Sequence, residues 1–339
     1  MKPHYLSFFT LLALAPVTLA QESPADSPAS TTVQKPDGGL LVPNQQAAQE
    51  IGERIYNTWR LSMIRGNKTA WEGATARSRQ VKVRNLIVSQ RGNFERDFFR
   101  DQIDNLPMLE NFKYVGALAA SGGKTLALTY FGRLQLGDDG KPTPCAFVLH
   151  FVMEGKNWKF DQSSFFTLQS LPKVAERLGK KDTSVLKEQD GFYPYAKVPT
   201  VPMLCPPPQL IGKIFVDCPG REVKLKINGL SQHEFYSERR ADVVSGGLRR
   251  GTNTISYHFA DVPRDEKTSL AIGVFVIPET EGNSPATVFE YILDADDVAE
   301  NGTFSFVVSN DSIAAMNPAF KGAKPEPFRP KPLKEKPAK

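Results

Sequence analysis

The chain has 339 residues, with 42 Lys and Arg against 37 Asp and Glu and a formal net charge of +5. That length predicts two domains, each large enough to bury its own core. Residues 321–339 carry seven basic and two acidic residues, a surplus equal to that of the whole chain, so the remainder is near neutral, the basic balance is no argument for a nucleic-acid-binding domain, and no nucleic-acid partner is expected.

Taken in order, residues 1–20 combine Lys2, the apolar run Leu6–Leu14 and the ending Thr18-Leu19-Ala20. This is the pattern of a secretory signal peptide cut after Ala20, and the run is too short to span a bilayer. Residue 21 is Gln rather than Cys, which removes the lipoprotein reading. No later segment is apolar for long enough to be a transmembrane segment, so the expected location is extracytoplasmic, either periplasmic or secreted. Residues 21–42 are rich in Ser, Pro, Thr and Ala and read as a disordered leader.

An α+β domain is expected over residues 43–189. Asn44 is a plausible N-cap for a helix whose stripe is Ala48, Ile51, Ile55, Trp59 and Met63, with Gly66 as its stop. Thr69 to Glu72 has capping-box spacing for a second, short helix. Val81–Ser89 is ambiguous between helix and strand, and Asn93–Asp101 reads as helix.

Four apolar runs follow, divided by Ser121-Gly122-Gly123, Gly137-Asp138-Asp139-Gly140 and Gly155-Lys156. They predict a four-stranded antiparallel meander from Phe112 to Phe166. A two-residue turn at Gly155-Lys156 sets Met153 opposite Trp158, Phe151 opposite Phe160, Leu149 opposite Gln162 and His150 opposite Asp161. A turn at Asp139-Gly140 sets Leu128 opposite Phe151. Period-two alternation then gives one apolar face (Leu126, Leu128, Tyr130, Phe147, Leu149, Phe151, Met153, Trp158 and Phe160) and one mixed face (Ala127, Thr129, Phe131, Val148, His150, Val152, Lys159, Asp161 and Ser163). The first face needs helices over it, supplied by the first, second and fourth helical segments, with Trp59 and Trp158 buried between.

A long helix, shorter helices and a curved meander closing on Gly155-Lys156-Asn157-Trp158-Lys159-Phe160 resemble the cone-shaped α+β superfamily of nuclear transport factor 2. The resemblance covers residues 44–166 and implies a fold, together with a range of roles that includes isomerases, dehydratases, hydrolases and non-enzymatic binding modules. It carries over no catalytic residue.

Residues 190–210 bring six prolines with Phe192, Tyr193 and Tyr195, a composition expected of a stiff, docked connector. Residues 211–312 show short alternating runs at Lys213–Cys218, Glu222–Leu230, Thr252–Ala260, Leu270–Ile277, Thr287–Leu293 and Thr303–Ser309. These predict a small β-sandwich of six or seven strands that resembles an immunoglobulin-like module. Residues 313–339 read as a disordered basic Pro/Lys tail suited to weak attachment to an anionic surface.

The candidate sites follow from this frame. Trp59, Tyr130 and Trp158 could line a ligand pocket within the cone. Phe131, Val148, His150 and Asp161 on the mixed face have the composition of an interface, covered either by the connector or sandwich or by a second chain. His150 beside Asp161 is read as a structural pair. Cys205 and Cys218 could bridge, leaving Cys145 as a buried apolar residue. Asp294, Asp296, Asp297 and Glu300 are an acidic cluster without EF-hand spacing. No phosphate loop, dinucleotide fingerprint, nucleophile elbow or zinc-ligand spacing occurs, so neither a cofactor nor a metal is expected. The sequence reads best as a non-enzymatic binding or scaffold protein of the bacterial envelope, whose partner is an envelope component or a small ligand. The alternatives are a hydrolase or isomerase using the cone, and a sandwich that binds carbohydrate or peptide.

Overall fold

The computed structural model describes residues 40–100, 106–135, 142–262, 268–280, 282–295, 297 and 301–331. The expected signal peptide, nearly all of the leader, the Asp139-Gly140 turn and the last eight residues of the tail lie outside them. In chain order the elements are β1 (Leu40–Leu41), α1 (Gln45–Ile64), α2 (Lys68–Ala74), α3 (Arg77–Val88), α4 (Phe94–Arg100), β2 (Phe112–Ala120), β3 (Thr125–Gln135), β4 (Pro142–Glu154), β5 (Asn157–Thr167), α5 (Pro172–Gly179), β6 (Ile211–Asp217), β7 (Arg221–Ile227), β8 (Ser231–Tyr236), β9 (Arg239–Val243), β10 (Gly251–Asp261), β11 (Leu270–Ile277), β12 (Ala286–Leu293), β13 (Asn301–Val308) and α6 (Asn310–Ala314). This is an α+β chain forming two compact units. One runs to Gln80 and resumes over Phe99–Pro202; the other comprises Val81–Phe98 and everything from Met203 on.

In the first unit, Asn44 caps α1 by accepting the Ala47 amide at 3.0 Å. Asn67, rather than Thr69, caps α2 through the Ala70 amide at 3.0 Å, because the chain leaves α1 at Gly66 in a left-handed conformation (φ 60°) and turns two residues earlier than the capping box implied. The sheet has five strands in the order β1-β2-β3-β4-β5, all antiparallel, and the extra strand comes from the end of the expected leader, where Leu40 pairs with Ala119. Met153 faces Trp158 and Glu154 faces Asn157, so Gly155-Lys156 is the two-residue turn that was expected. Across β3 and β4, Leu128 pairs with Leu149 and Leu126 with Phe151, two residues away from the expected register. The ladder is described as far as the Gln135–Pro142 pair, and the residues between them lie outside those described. A shift of two leaves every side chain on its face, so the face assignments of β3 and β4 stand although the pairs change.

Both faces are buried. Leu126, Leu128, Tyr130, Phe147, Leu149, Phe151 and Phe160 form one core with Ala48 and Tyr56 of α1. Burying a side chain such as Leu128 or Phe147 in full stabilises the fold by about 2 kcal/mol. The buried line of α1 is Ala48, Gly52, Tyr56 and Met63, with Trp59 half-buried beside it. Trp158 is also only half-buried, packed at the margin of the core, which corrects the expectation that both tryptophans are fully enclosed. The reason is Gly52: a Cβ there would come within 2.6 Å of Leu128 Cδ2, so the helix approaches the sheet along its glycine side and turns Trp59 outward. On the opposite face, Val115, Leu118, Ala127, Phe131, Ala146, Val148 and Phe166 form a second core with Leu178 of α5, Val185 and Leu186 of the 3-10 turn Thr183–Lys187, and Phe192 of the connector.

The second unit is a sandwich of two four-stranded sheets, β13-β10-β7-β8 and β12-β11-β6-β9, enclosing one core. Pro219-Gly220, with Gly220 at φ 67°, carries the chain from one sheet to the other. The run expected as one strand from Glu222 to Leu230 breaks at Asn228 and Gly229, both at positive φ, to form the β7–β8 hairpin. Val81–Phe98 belongs to this unit rather than covering the meander. Asn85 donates to Met203 O at 2.8 Å and accepts from Cys205 N at 3.0 Å, Arg84 donates to Cys205 O at 3.0 Å, and Ser89 Oγ accepts from Gly246 N at 2.8 Å.

Tryptophans 59, 71 and 158 all lie in the first unit, so tryptophan fluorescence reports its unfolding alone. Gly52→Val should destabilise that unit by about 1–3 kcal/mol through overpacking against Leu128. Gly73→Ala in α2, where an added Cβ meets nothing within 4 Å, should stabilise it by about 0.5–1 kcal/mol. Urea unfolding followed by fluorescence measures both; equal effects would contradict the close approach of α1.

Candidate functional site

The densest group of buried polar side chains in the first unit lies on its connector-covered sheet face. Alternation along β4 places His150 there between Val148 and Val152, all three buried. The β5 ladder is irregular at this point. Phe160 pairs with Phe151 but Gln162 pairs with His150, which leaves Asp161 as the extra, unpaired residue of a β-bulge. The expected pairing of His150 with Asp161 is thereby corrected: Gln162 takes the place opposite His150, and Leu149 faces Ser163.

Asp161 is 3 % exposed and finds its partners away from the ladder. Its Oδ2 accepts the Tyr195 hydroxyl at 2.8 Å and its Oδ1 accepts the Ser78 hydroxyl at 3.1 Å. Burial pushes the Arg79 guanidinium below its ordinary value, opposed by the charges of Asp161 and Tyr195. The Tyr195 phenol is pushed well up, first by burial and then by Asp161. Its ring stacks on His150 at 5.1 Å between centroids, and its backbone oxygen accepts from Thr125 Oγ1 at 2.6 Å. His150 is 5 % exposed and its Nδ1 has no hydrogen-bond partner among the described residues. Burial lowers its pKa to about 4 against the opposing pull of Asp161, so the ring is neutral at pH 7. A general base needs an orienting partner and a reachable proton. His150 has a carboxylate bound to other groups and a tyrosine over its face. Phe131, Val148, His150 and Asp161, the residues expected at an interface, are all covered by the chain's own residues.

The residues expected to line a cone pocket do not converge. Tyr130 is 1 % exposed and donates to Glu53 Oε1 at 3.3 Å inside the core. Trp59 stacks on Tyr56 and packs 4.5 Å from the Phe160 ring. It borders a cleft of about 30 Å³ with Tyr56, Arg79, Leu106, Phe160 and Gln162, which neither Tyr130 nor Trp158 reaches. That volume admits water-sized molecules.

Sequence reasoning missed a second arrangement, in the sandwich. Ser231 Oγ lies 2.7 Å from His233 Nε2, and His233 Nδ1 lies 3.3 Å from Asp242 Oδ2. This is the connectivity of a hydrolytic triad, joining β8 at the edge of one sheet to β9 at the edge of the other. The serine is not placed as a nucleophile, because it is 1 % exposed and its oxygen already accepts the Ser245 amide at 2.7 Å. Asp242 is held below the ordinary carboxylate range by His233 and Arg240, against its own burial. The signal that could have found this group is Asn228-Gly229, the strongest short hairpin signal, which starts a strand where Ser231, His233 and Phe235 alternate inward.

The acidic cluster near residue 294 is organised by an arginine. Arg221 is 2 % exposed, and its Nη2 donates to the carbonyls of Asp294, Ala295 and Asp297 at 2.9, 3.1 and 3.4 Å. Backbone oxygens of the kind that would coordinate calcium are thus turned on a guanidinium; Asp296 and Glu300 lie outside the described residues. Among the described residues, no group of three or more His, Cys, Asp or Glu could hold a metal ion. The bridge considered between Cys205 and Cys218 is corrected, since both are buried free thiols in different surroundings. Cys205 Sγ lies 3.4 Å from Ser89 Oγ, and Cys218 Sγ donates to Glu238 O at 3.3 Å. Cys145 is a third buried thiol, raised to about 11 by burial.

The chain matches no family model, no curated protein and no solved structure.

His150 gives the site a pH signature. Its folded pKa of about 4 lies below the ordinary 6.5, so its contribution is complete above pH 6.5 and is lost as the pH falls towards 4. Between pH 7 and pH 4 the first unit should lose about 3 kcal/mol more than a His150→Leu variant. Fluorescence-monitored urea unfolding at the two pH values checks this; identical pH dependence in the two proteins would contradict a buried neutral imidazole.

Proposed function

We propose that the chain is a secreted or periplasmic, non-enzymatic binding or scaffold protein of the bacterial cell envelope. One observation carries the reading. The reactive-looking groups of both units are buried under the chain's own atoms: Asp161 is bonded to Tyr195 and Ser78, His150 lies under the Tyr195 ring, and Ser231 is bonded to His233 and to the Ser245 amide. A hydrolase or isomerase needs such a group at the wall of a cavity that fits a substrate. The cleft beside Trp59 is about 30 Å³, an order of magnitude below the roughly 300 Å³ at which small-molecule pockets begin. Among the described residues no helix is long and apolar enough to cross a membrane. The basic surplus of residues 321–339 supports weak electrostatic attachment to an anionic envelope polymer.

The test pairs chemistry with location. A serine-reactive fluorophosphonate should label the intact chain no more than its Ser231→Ala variant. A panel of ester, amide and glycoside substrates should show no turnover that His150→Gln or Ser231→Ala abolishes. Labelling confined to Ser231, or turnover lost in either variant with folding intact, overturns the non-enzymatic reading. N-terminal sequencing of the exported protein should begin at Gln21, and a mature protein that retains Met1–Ala20 overturns the envelope location.

A further inference from the structure

β12 is the outermost strand of its sheet, with β11 on one side only. The backbone groups on the other side of an edge strand are a template for adding another chain. Here the protein fills that side itself. Beyond α6, Met316 O accepts from Ser284 N at 3.0 Å. Twelve residues later Phe328 N donates to Val288 O at 3.3 Å and Phe328 O accepts from Glu290 N at 2.9 Å, forming a parallel bridge between Phe328 and Phe289. The Phe328 ring stacks on Phe289 at 6.1 Å between centroids, and Arg329 Nη2 lies 2.8 Å from Glu290 Oε2. Pro327 and Pro330 bracket the bridge. Neither has an amide hydrogen, so the docked segment stays short and offers no new edge. The docking is shallow, with Phe328 45 % exposed and the Arg329 side chain 67 % exposed.

We infer that the outer edge of β12 is a strand-addition site for an extended Pro-aromatic-Arg-Pro segment, occupied by the chain's own residues 327–330 and open to the same segment from a second copy. Backbone pairing at Val288 and Glu290 supplies attachment to any extended peptide. Selection comes from the aromatic ring on Phe289 and the guanidinium on Glu290. The sequence seen to fit is this chain's own, which makes a second copy the partner. The intervening residues decide between the two arrangements. A short flexible tether holds its peptide at an effective concentration of order millimolar, so self-docking prevails at micromolar protein. Exchange prevails once the tether cannot reach, as in domain swapping. Ser284 to Phe289 spans about 17 Å at about 3.3 Å per residue. Deleting residues 318–326 leaves three Cα steps between Met316 and Phe328, a reach of about 11 Å.

The inference deepens the binding-protein reading and rests on it. Sedimentation should find the intact chain monomeric at micromolar concentration and the 318–326 deletion dimeric. The dimer should dissociate on adding a synthetic peptide of residues 324–331, and should not form when Phe328→Ala is combined with the deletion. A monomeric deletion variant, or a dimer indifferent to Phe328→Ala, overturns exchange between copies. Independently of that variant's folding, the labelled 324–331 peptide should bind a chain ending at Lys324 at least tenfold more tightly than the intact chain, with Phe328→Ala peptide not binding. Equal binding to both chains, or none to the shortened one, overturns the site. That failure in a protein the fluorophosphonate leaves unlabelled removes the site without removing the non-enzymatic reading.

Discussion

The first unit depends on one constraint: its central sheet has two apolar faces, and each must be kept from water. Leu126, Leu128, Phe147 and Phe151 point one way, and Ala127, Phe131, Ala146 and Val148 the other. A sheet of this kind cannot stop at one layer of helices. α1 closes one side, with Gly52 admitting the helix to contact distance. α5, the 3-10 turn after it and Phe192 close the other. The proline-rich connector is therefore part of the fold. Tyr195 holds its place through a hydroxyl on Asp161, a ring on His150 and a backbone oxygen on Thr125. The β-bulge matters here, since it frees Asp161 from the ladder to accept those bonds.

The same constraint bears on function. Residues that would do chemistry when exposed serve here as struts. His150 fills space neutrally between connector and strand, and Ser231, His233 and Asp242 tie the edges of two sheets. Arg221 donates to three loop carbonyls, those of Asp294, Ala295 and Asp297, and so ties the loop to β7. The side chains of His150, Ser231, His233 and Arg221 are all buried. The proposed binding role rests on backbone at the outer edge of β12 and on the sequence charge of residues 321–339.

Much of this was legible in the sequence because it rests on period and punctuation. Alternation along β3, β4 and the start of β5 assigned the two faces, Asn44 marked the start of α1, and Gly155-Lys156 fixed a hairpin; beyond the bulge the faces of β5 exchange, so that Ser163 lies opposite Leu149 and Phe165 joins the α1-side core. Alternation is blind to even register shifts, so the displaced pairing of Leu128 left no trace in the pattern. The bulge at Asp161 has no local signature, because an extra residue is set by what the neighbouring strand and connector require. Val81–Ser89 was ambiguous because short apolar runs do not separate helix from strand, and its docking partners Met203 and Cys205 lie more than a hundred residues away. The acidic stretch at 294–300 gave no sign of its arginine, because side chains are visible in a sequence and carbonyl directions are not. β8 and β9 were missed although Asn228-Gly229 announced the first of them; the surrounding charges of Glu234, Glu238, Arg239 and Arg240 obscured the alternation.

The central claim is that both faces of the first sheet are closed by one cooperative fold. Matched thiol probes test it most directly, with native Cys145 on the α1 face and an introduced Val148→Cys on the connector face, labelled under native conditions and mapped by mass spectrometry. Both sites are 0 % exposed. The account predicts that both label at the same rate, slower than an unfolded thiol by at least about a thousandfold, as expected when only global unfolding exposes them. Rapid labelling of Val148→Cys with Cys145 still protected would contradict it, because the connector side would then be a loose cover over an open binding face.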